Sequence, residues 1–412
     1  MMPSRRQFLA AALAPRSPNI VLILADDLGY GDLGCYGATH NATPHLDRLA
    51  RDAVRLTNHY TASPVCSPAR ASLLTGLMPG RTGVTGVLRD QDDETGLDLR
   101  LPTLATTLRS KGYTTALIGK WHLGMKGDYL PRKRGFDYFW GFLNGTIDYF
   151  THISKGGGAT GQPTTYENEQ PIRWKGYFPD LATTKAVEFI EANTAKPWFL
   201  YLPLALPHTP LQAAPQWKKD EPNAEYRGML RSLDDTVGSV RAALERTAQW
   251  DRTVIIFLSD HGWVKKRSPS EAGSNGALRG GKYELFEGGI RVPCLVRWPG
   301  LTAPGKTIDS PSWFPDWYPT LTGVPTRDGI DIQSLLRGAR PNPNREFYWR
   351  FEDKAVKTPL SFAIRRGNWK LLRVGAEQWL FDLASDPAEQ RDTRSANPRI
   401  AADLERRLAH HF

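Results

Sequence analysis

A thiol stands where a helix should begin, in the run Cys66-Ser-Pro-Ala-Arg70 followed by Ala-Ser-Leu-Leu-Thr-Gly76. Pro68 suits the first helical turn, which needs no amide hydrogen, and Ala69 to Leu74 propagate a helix well. Cys66 then faces the positive end of the helix with Arg70 one turn away, a setting that lowers a thiol pKa and draws anions. Such a cysteine is either a nucleophile or a buried structural residue.

Acids, bases and cations recur at the ends of four apolar runs. Asn19 to Ala25 ends in Asp26-Asp27, and Thr253 to Leu258 ends in Ser259-Asp260-His261-Gly262. Thr114 to Gly119 runs into Lys120-Trp121-His122, and Trp198 to Ala205 runs into His208. These runs read as buried parallel strands. Ligands of open α/β sheets sit outside the carboxyl ends of the strands, so these groups are expected to share one crevice. A single Asp pair after a strand also serves as a turn or helix cap.

The positioning elements follow a βαβ rhythm. Helices are expected at Thr103 to Lys111, Asp180 to Asn193 and Tyr226 to Gln249, alternating with the strands. After the polar, Pro-punctuated stretch Arg337 to Pro343, short alternating runs at Arg345 to Phe351, Ser361 to Arg366, Trp369 to Val374 and Gln378 to Leu383 predict a small antiparallel sheet. A helix from Pro398 to His410 closes it. At 412 residues the chain exceeds what one core usually fills, so two unequal units are expected, 17–338 and 344–412.

Cys66-x-Pro-x-Arg70 with Leu73-Leu-Thr-Gly76 resembles the signature of the sulfatase family. Gly281-Lys282 with Glu287-Gly-Gly-Ile-Arg291-Val-Pro293 is similar to the family's second signature, and Leu380-Phe-Asp-Leu with Asp386-Pro387 to its usual ending. Gly135 to Gly141 and Asp148-Tyr149 look most like arylsulfatases and N-acetylgalactosamine sulfatases. The resemblance implies an alkaline-phosphatase-like α/β fold: a mixed, largely parallel sheet covered by helices on both faces, with a small C-terminal antiparallel sheet plus helix. It implies hydrolysis of sulfate monoesters, on a sulfated carbohydrate such as a glycosaminoglycan or algal-type polysaccharide fragment, or on an aryl sulfate. The nucleophile would be a formylglycine hydrate, made from Cys66 by a separate formylglycine-generating maturation enzyme.

Carried over by position, the resemblance makes Asp26, Asp27, Asp260 and His261 ligands of a divalent cation that the modified Cys66 also approaches. Family precedent favours Ca²⁺, with Mg²⁺ or another divalent ion as the alternative. Many relatives carry Asn where this chain has His261. An imidazole suits transition metals better, or it hydrogen-bonds a sulfate oxygen, so the ion's identity stays open. Lys120 and Lys282 are expected to grip sulfate oxygens, and Arg70 to hold the hydrate and the carboxylates. His122 would assist the hydrate and later release sulfate, and His208 would protonate the departing alcohol.

The loop-rich stretch Asn144 to Trp174 carries Tyr149, Phe150, His152, Tyr166 and Trp174, and we expect Tyr149 and His152 to contact substrate. Gly276 to Lys282 nearly spells a phosphate loop, but Tyr283 replaces the required Ser/Thr and no strand precedes it. Nucleotide binding is therefore not expected. The net charge of +10 attracts polyanions, yet the basic residues are scattered and no nucleic-acid motif accompanies them, so a sulfated polysaccharide fits better.

Ser4-Arg5-Arg6-Gln-Phe8-Leu9 before Ala10 to Ala14 resembles a twin-arginine export signal over residues 1–14, implying a periplasmic or extracellular destination, or a cytoplasmic one if the short match is spurious. No run is long enough to span a bilayer. Three cysteines, Cys35, Cys66 and Cys294, form no disulfide framework, and pairing of Cys35 with Cys294 is open. Two other functions remain on the same sequence: a phosphate or phosphonate monoester hydrolase, and a catalytically silent carbohydrate-binding relative.

Overall fold

The computed structural model describes residues 17–89, 95–154, 164–264, 272–354 and 356–412. The twin-arginine-like stretch lies outside them. The described residues form fifteen strands: β1 (Asn19–Ala25), β2 (Val54–Tyr60), β3 (Thr114–Lys120), β4 (Tyr138–Phe142), β5 (Thr165–Glu167), β6 (Gln170–Pro171), β7 (Trp198–Pro203), β8 (Thr253–Ser259), β9 (Arg291–Arg297), β10 (Thr307–Ile308), β11 (Ser312–Trp313), β12 (Glu346–Asp353), β13 (Thr358–Arg366), β14 (Trp369–Val374) and β15 (Glu377–Asp382).

The large sheet runs β10-β2-β9-β8-β1-β7-β3-β4-β5-β6, with β11 beside β2. Its centre, β8-β1-β7-β3-β4, is parallel, whereas β9 is antiparallel to both β8 and β2. The apolar runs of β1, β7 and β8 are buried throughout because both faces are covered. Along β1 the side chains alternate: Ile20, Leu22 and Leu24 enter one apolar cluster, and Val21, Ile23 and Ala25 the other. Helices Cys66–Thr75 and Leu104–Ser110 contribute to the first cluster, and Pro44–Asp52, Phe178–Ala192 and Ala224–Arg246 to the second.

The expected helices are present with shifted ends. Leu104–Ser110 starts one residue later than expected because Thr103 caps it, its hydroxyl accepting from the Thr106 amide at 3.1 Å. Phe178–Ala192 starts earlier, since Pro179 fits a first turn. The thiol-bearing helix already begins at Cys66 and stops at Gly76, whose φ of +71° closes its carboxyl end.

The small sheet, β12-β13-β14-β15, is antiparallel throughout, and the helix Pro398–Ala409 packs on it. Its inner residues Phe347, Trp349, Ile364, Leu371 and Leu380 join the same apolar cluster as β1 and the Cys66 helix. Trp349 Nε1 donates to the Thr61 carbonyl at 2.8 Å, tying the sheets together just before Cys66. The sequence boundary at residues 338–344 therefore separates two sheets that share one core. All three cysteines are free thiols, so Cys35 and Cys294 do not pair.

Candidate active site

Ala25 pairs with Ser259, which brings Asp26 and Asp260 out side by side at the carboxyl ends of β1 and β8. The Asp260 amide continues the ladder onto the Ala25 carbonyl at 3.0 Å. Asp27 turns sharply, with φ of +63°, and its amide donates to Asp260 Oδ1 at 3.1 Å. His122 beyond β3 has a similar left-handed backbone, φ +58°. Non-glycine residues hold that conformation only where surrounding structure imposes it.

Cations neutralise this acidic centre. Lys120 Nζ lies 2.7 Å from Asp26 Oδ2, and Arg70 bridges Asp260 Oδ2 at 2.9 Å and Asp26 Oδ1 at 3.3 Å. Lys282 Nζ sits 2.8 and 2.9 Å from the two oxygens of Asp27. Burial alone would raise the Asp26 carboxyl pKa, but Lys120, His208 and Arg70 together hold it well below the ordinary range. Asp27 is lowered likewise, burial being outweighed chiefly by Lys282.

Cys66 Sγ lies 3.3 Å from His261 Nε2, 3.5 Å from Asp26 Oδ1 and 3.8 Å from Lys282 Nζ. Burial opposes its ionisation, yet Lys120 and Lys282 bring the thiol pKa down to about 6. The direction agrees with the sequence expectation, while the cause is two lysines from distant segments.

Ligand atoms of Asp26, Asp27, Cys66 and His261 all lie within 4.8 Å of one another. His261 Nδ1 faces the Gly262 carbonyl at 3.0 Å, so Nε2 is directed at Asp27, 3.2 Å away. Burial disfavours its protonation, but Asp260 and Asp27 push its pKa up to about 9. The carboxylates and the sulfur thus favour positive charge at the point where they converge, and a bound divalent cation would supply it. The donor set fits such an ion. Asp260 flanks it, with Oδ1 3.5 Å from His261 Nε2 and both oxygens engaged by the Asp27 amide and Arg70.

A cleft of about 300 Å³ opens over these groups, lined by Asp27, Cys66, His122, His208 and Lys282 among others. Asp26, Arg70, Lys120, Asp260 and His261 are buried behind it. His208 Nδ1 faces the Thr209 carbonyl at 2.5 Å, leaving Nε2 to face Lys282 Nζ at 3.2 Å. Burial lowers its pKa despite Asp27. His122 Nε2 faces the Leu88 carbonyl at 2.8 Å, and Nδ1 has no hydrogen-bond partner among the described residues. Burial, with Lys120 nearby, keeps this imidazole neutral.

A family model described as Sulfatase matches residues 18–324. The chain belongs to the sulfatase family. This sulfatase is a sulfuric ester hydrolase. It is 34% identical to arylsulfatase A of Homo sapiens, across 92% of this chain and 80% of that enzyme. It is 33% identical to N-acetylgalactosamine-6-sulfatase of Mus musculus, across 83% of this chain and 70% of the other. Among solved structures it superposes on Ps i-CgsB with a TM-score of 0.88 and 32% identity, covering 96% of this chain and 92% of that one. Ps i-CgsB has also been solved in complex with k-i-k-neocarrahexaose.

Three residues expected at the substrate lie away from the cleft of this sulfatase. Tyr149 is buried, and its hydroxyl lies against the carbonyls of Ala205 and His208, the latter at 2.8 Å. It supports the His208 loop from beneath and offers no ring face to a sugar. His152 is buried too, with Nε2 facing the Gly176 carbonyl at 3.0 Å, and does not line the cleft. Aromatic composition could not separate a loop tucked against the core from one presented to substrate. Lys120, expected at the sulfate oxygens, has its ammonium on Asp26, behind the cleft floor. Gly145 was not singled out by sequence, yet a Cβ there would sit 2.8 Å from the His122 ring.

Proposed function

We propose that this sulfatase removes sulfate from a sulfated carbohydrate, using a formylglycine made from Cys66 and a divalent cation held by Asp26, Asp27, His261 and residue 66, with Asp260 alongside. The observation that carries the reading is the place of Cys66. Its sulfur lies on the cleft floor between the cation-holding group and the ammonium of Lys282. When bound, the cation supplies positive charge to a sulfate oxygen and favours an ionised hydroxyl at residue 66. The formylglycine hydrate provides that hydroxyl.

The chain's own side chains do the rest. Lys282 faces the cleft and meets the negative charge of the sulfate, which grows on the bridging oxygen as the S–O bond breaks. His208 presents Nε2 for a proton, and a monoester anion beside it raises its pKa toward the range where it can pass that proton to the leaving oxygen. Nδ1 of His122, which has no hydrogen-bond partner among the described residues, can accept a proton from the hydrate. Arg70 fixes Asp26 and Asp260, and Lys120 balances Asp26 from behind, so the acidic centre keeps its geometry.

The carbohydrate preference is supported by the net charge of +10, which attracts polyanions, and by the sugar named in the murine relative and the saccharide bound by Ps i-CgsB. Ca²⁺ suits the carboxylates, while His261 leaves room for Mg²⁺ or a transition metal. We assign an exported location from the Ser4 to Ala14 stretch; among the described residues no helix is long and apolar enough to cross a membrane.

Mass spectrometry of the tryptic peptide Leu56 to Arg70, from protein made together with a formylglycine-generating enzyme, is expected to show an aldehyde at residue 66. An intact thiol under those conditions would remove the proposed nucleophile. Turnover of an aryl sulfate faster than of the matching aryl phosphate is expected, and the reverse order would favour the phosphomonoester reading.

A further inference from the structure

Lys282 is carried by a loop whose ends are tied to the C-terminal part of the chain. Gly288 N–H donates to the Arg279 carbonyl at 2.7 Å, closing the loop on itself. Arg279 Nη1 donates to the Glu389 carbonyl at 2.9 Å. The Glu287 amide, first in the one-turn helix Glu287–Ile290, donates to Glu389 Oε2 at 2.6 Å. One residue beyond β15 thus holds both ends of the loop. Glu389 has a φ of +55°, a conformation that glutamate rarely adopts.

A buried lysine completes the tie. Lys370, on β14, has no exposed surface, and its Nζ lies 2.9 Å from Glu287 Oε1 and 2.8 Å from Glu389 Oε1. The other Glu287 oxygen accepts from the Tyr60 hydroxyl at 2.6 Å, and Arg291 stands 3.6 Å away. None of these charges lines the reaction cleft. Burial pushes the Glu389 carboxyl up to about 7 even beside Lys370, so a lysine held between two buried carboxyl groups contributes little to stability. What these contacts hold in place is the segment bearing Lys282. On its other side Gly262, next to His261, approaches so closely that a Cβ would fall 1.7 Å from the Gly288 carbonyl oxygen.

We propose that Glu389 and Lys370 are positioning residues for Lys282, through which the C-terminal sheet sets the cation that faces the scissile sulfate. This rests on the reading that Lys282 acts on the sulfate. If Lys282→Ala keeps normal turnover, that reading fails; if Lys282 matters and the variants below do not, only the positioning proposal fails.

The test is a double-mutant cycle on full-length enzyme with an aryl sulfate, kcat being normalised to the formylglycine content at residue 66. Glu389→Gln keeps the side-chain shape and replaces the carboxyl oxygen that faces Lys370 or the Glu287 amide, and is expected to lower kcat by about 10-fold with a much smaller change in KM. In a Lys282→Ala background the same substitution is expected to cost less than about twofold, because the group it positions is gone. Arg279→Gln, at an exposed residue, serves as a second variant should Glu389→Gln fail to fold, with a smaller loss of kcat that also vanishes without Lys282. A fall in melting temperature with kcat per active site unchanged, or equal losses in both backgrounds, would overturn the proposal.

Discussion

The acidic pair after β1 shows how much rests on single side chains. Asp26 and Asp27 are neighbours in the chain but face different partners, Lys120 and Arg70 for one, Lys282 and His261 for the other. The left-handed backbone of Asp27 makes this divergence possible. Lys282 alone among the three cations lines the cleft, so its loss should be felt in the transition state rather than in the scaffold. We expect Lys282→Ala to lower kcat by about 10²- to 10³-fold, the usual cost of one preorganised donor. Steady-state kinetics on an aryl sulfate check this; near-normal turnover would take Lys282 out of the chemistry.

At the scale of elements, a second histidine illustrates the opposite use of burial. His59 on β2 accepts from Trp317 Nε1 through Nε2 at 3.1 Å and meets Ser312 Oγ through Nδ1 at 2.9 Å, joining β2 to β11 and the helix Trp317–Thr322. Both ring nitrogens are used only when the ring is neutral. Burial, with Arg345 behind it, brings its pKa down to about 3. A folded pKa below the unfolded one gives stability that is complete above about pH 6.5 and is withdrawn as pH falls toward about 3, at up to about 1.4 kcal/mol per pH unit. His59→Gln should therefore flatten the acid side of the melting-temperature profile, whatever it does to the plateau. An unchanged slope would show that other groups govern acid unfolding.

At the scale of the molecule, the acidic centre couples metal to stability. A cation that binds the folded chain alone adds about 2.7 kcal/mol when free ion stands at 100 times its dissociation constant. Chelation is expected to lower the melting temperature and abolish turnover. Restoring Ca²⁺, Mg²⁺ or Mn²⁺ in turn ranks the ions by recovery of melting temperature, a readout independent of catalysis. No shift with any of them would mean that the side chains around the carboxylates, Lys282, Lys120 and Arg70 among them, suffice to balance their charge. Because the small sheet shares the core of the large one, the melt should show a single transition.

Much of this was legible in the chain. Continuous apolar runs ending in Asp26-Asp27, Lys120, His208 and Asp260-His261 fix both parallel strands and the edge where the chemistry gathers, because a strand buried on both faces can carry polar groups only beyond its end. Short alternating runs after Pro343 likewise mark an antiparallel sheet. The tertiary structure alone decided which way each side chain turned. Tyr149 and His152 sit in an aromatic-rich loop, yet their rings are buried under His208 and Phe178 neighbours rather than offered to a sugar. Lys120 and Lys282 are equal as cations in sequence, but only one reaches the cleft. Glu287 and Glu389 meet across a separation of 102 residues with Lys370 between them, and such meetings depend on packing between sheets, which no local pattern encodes.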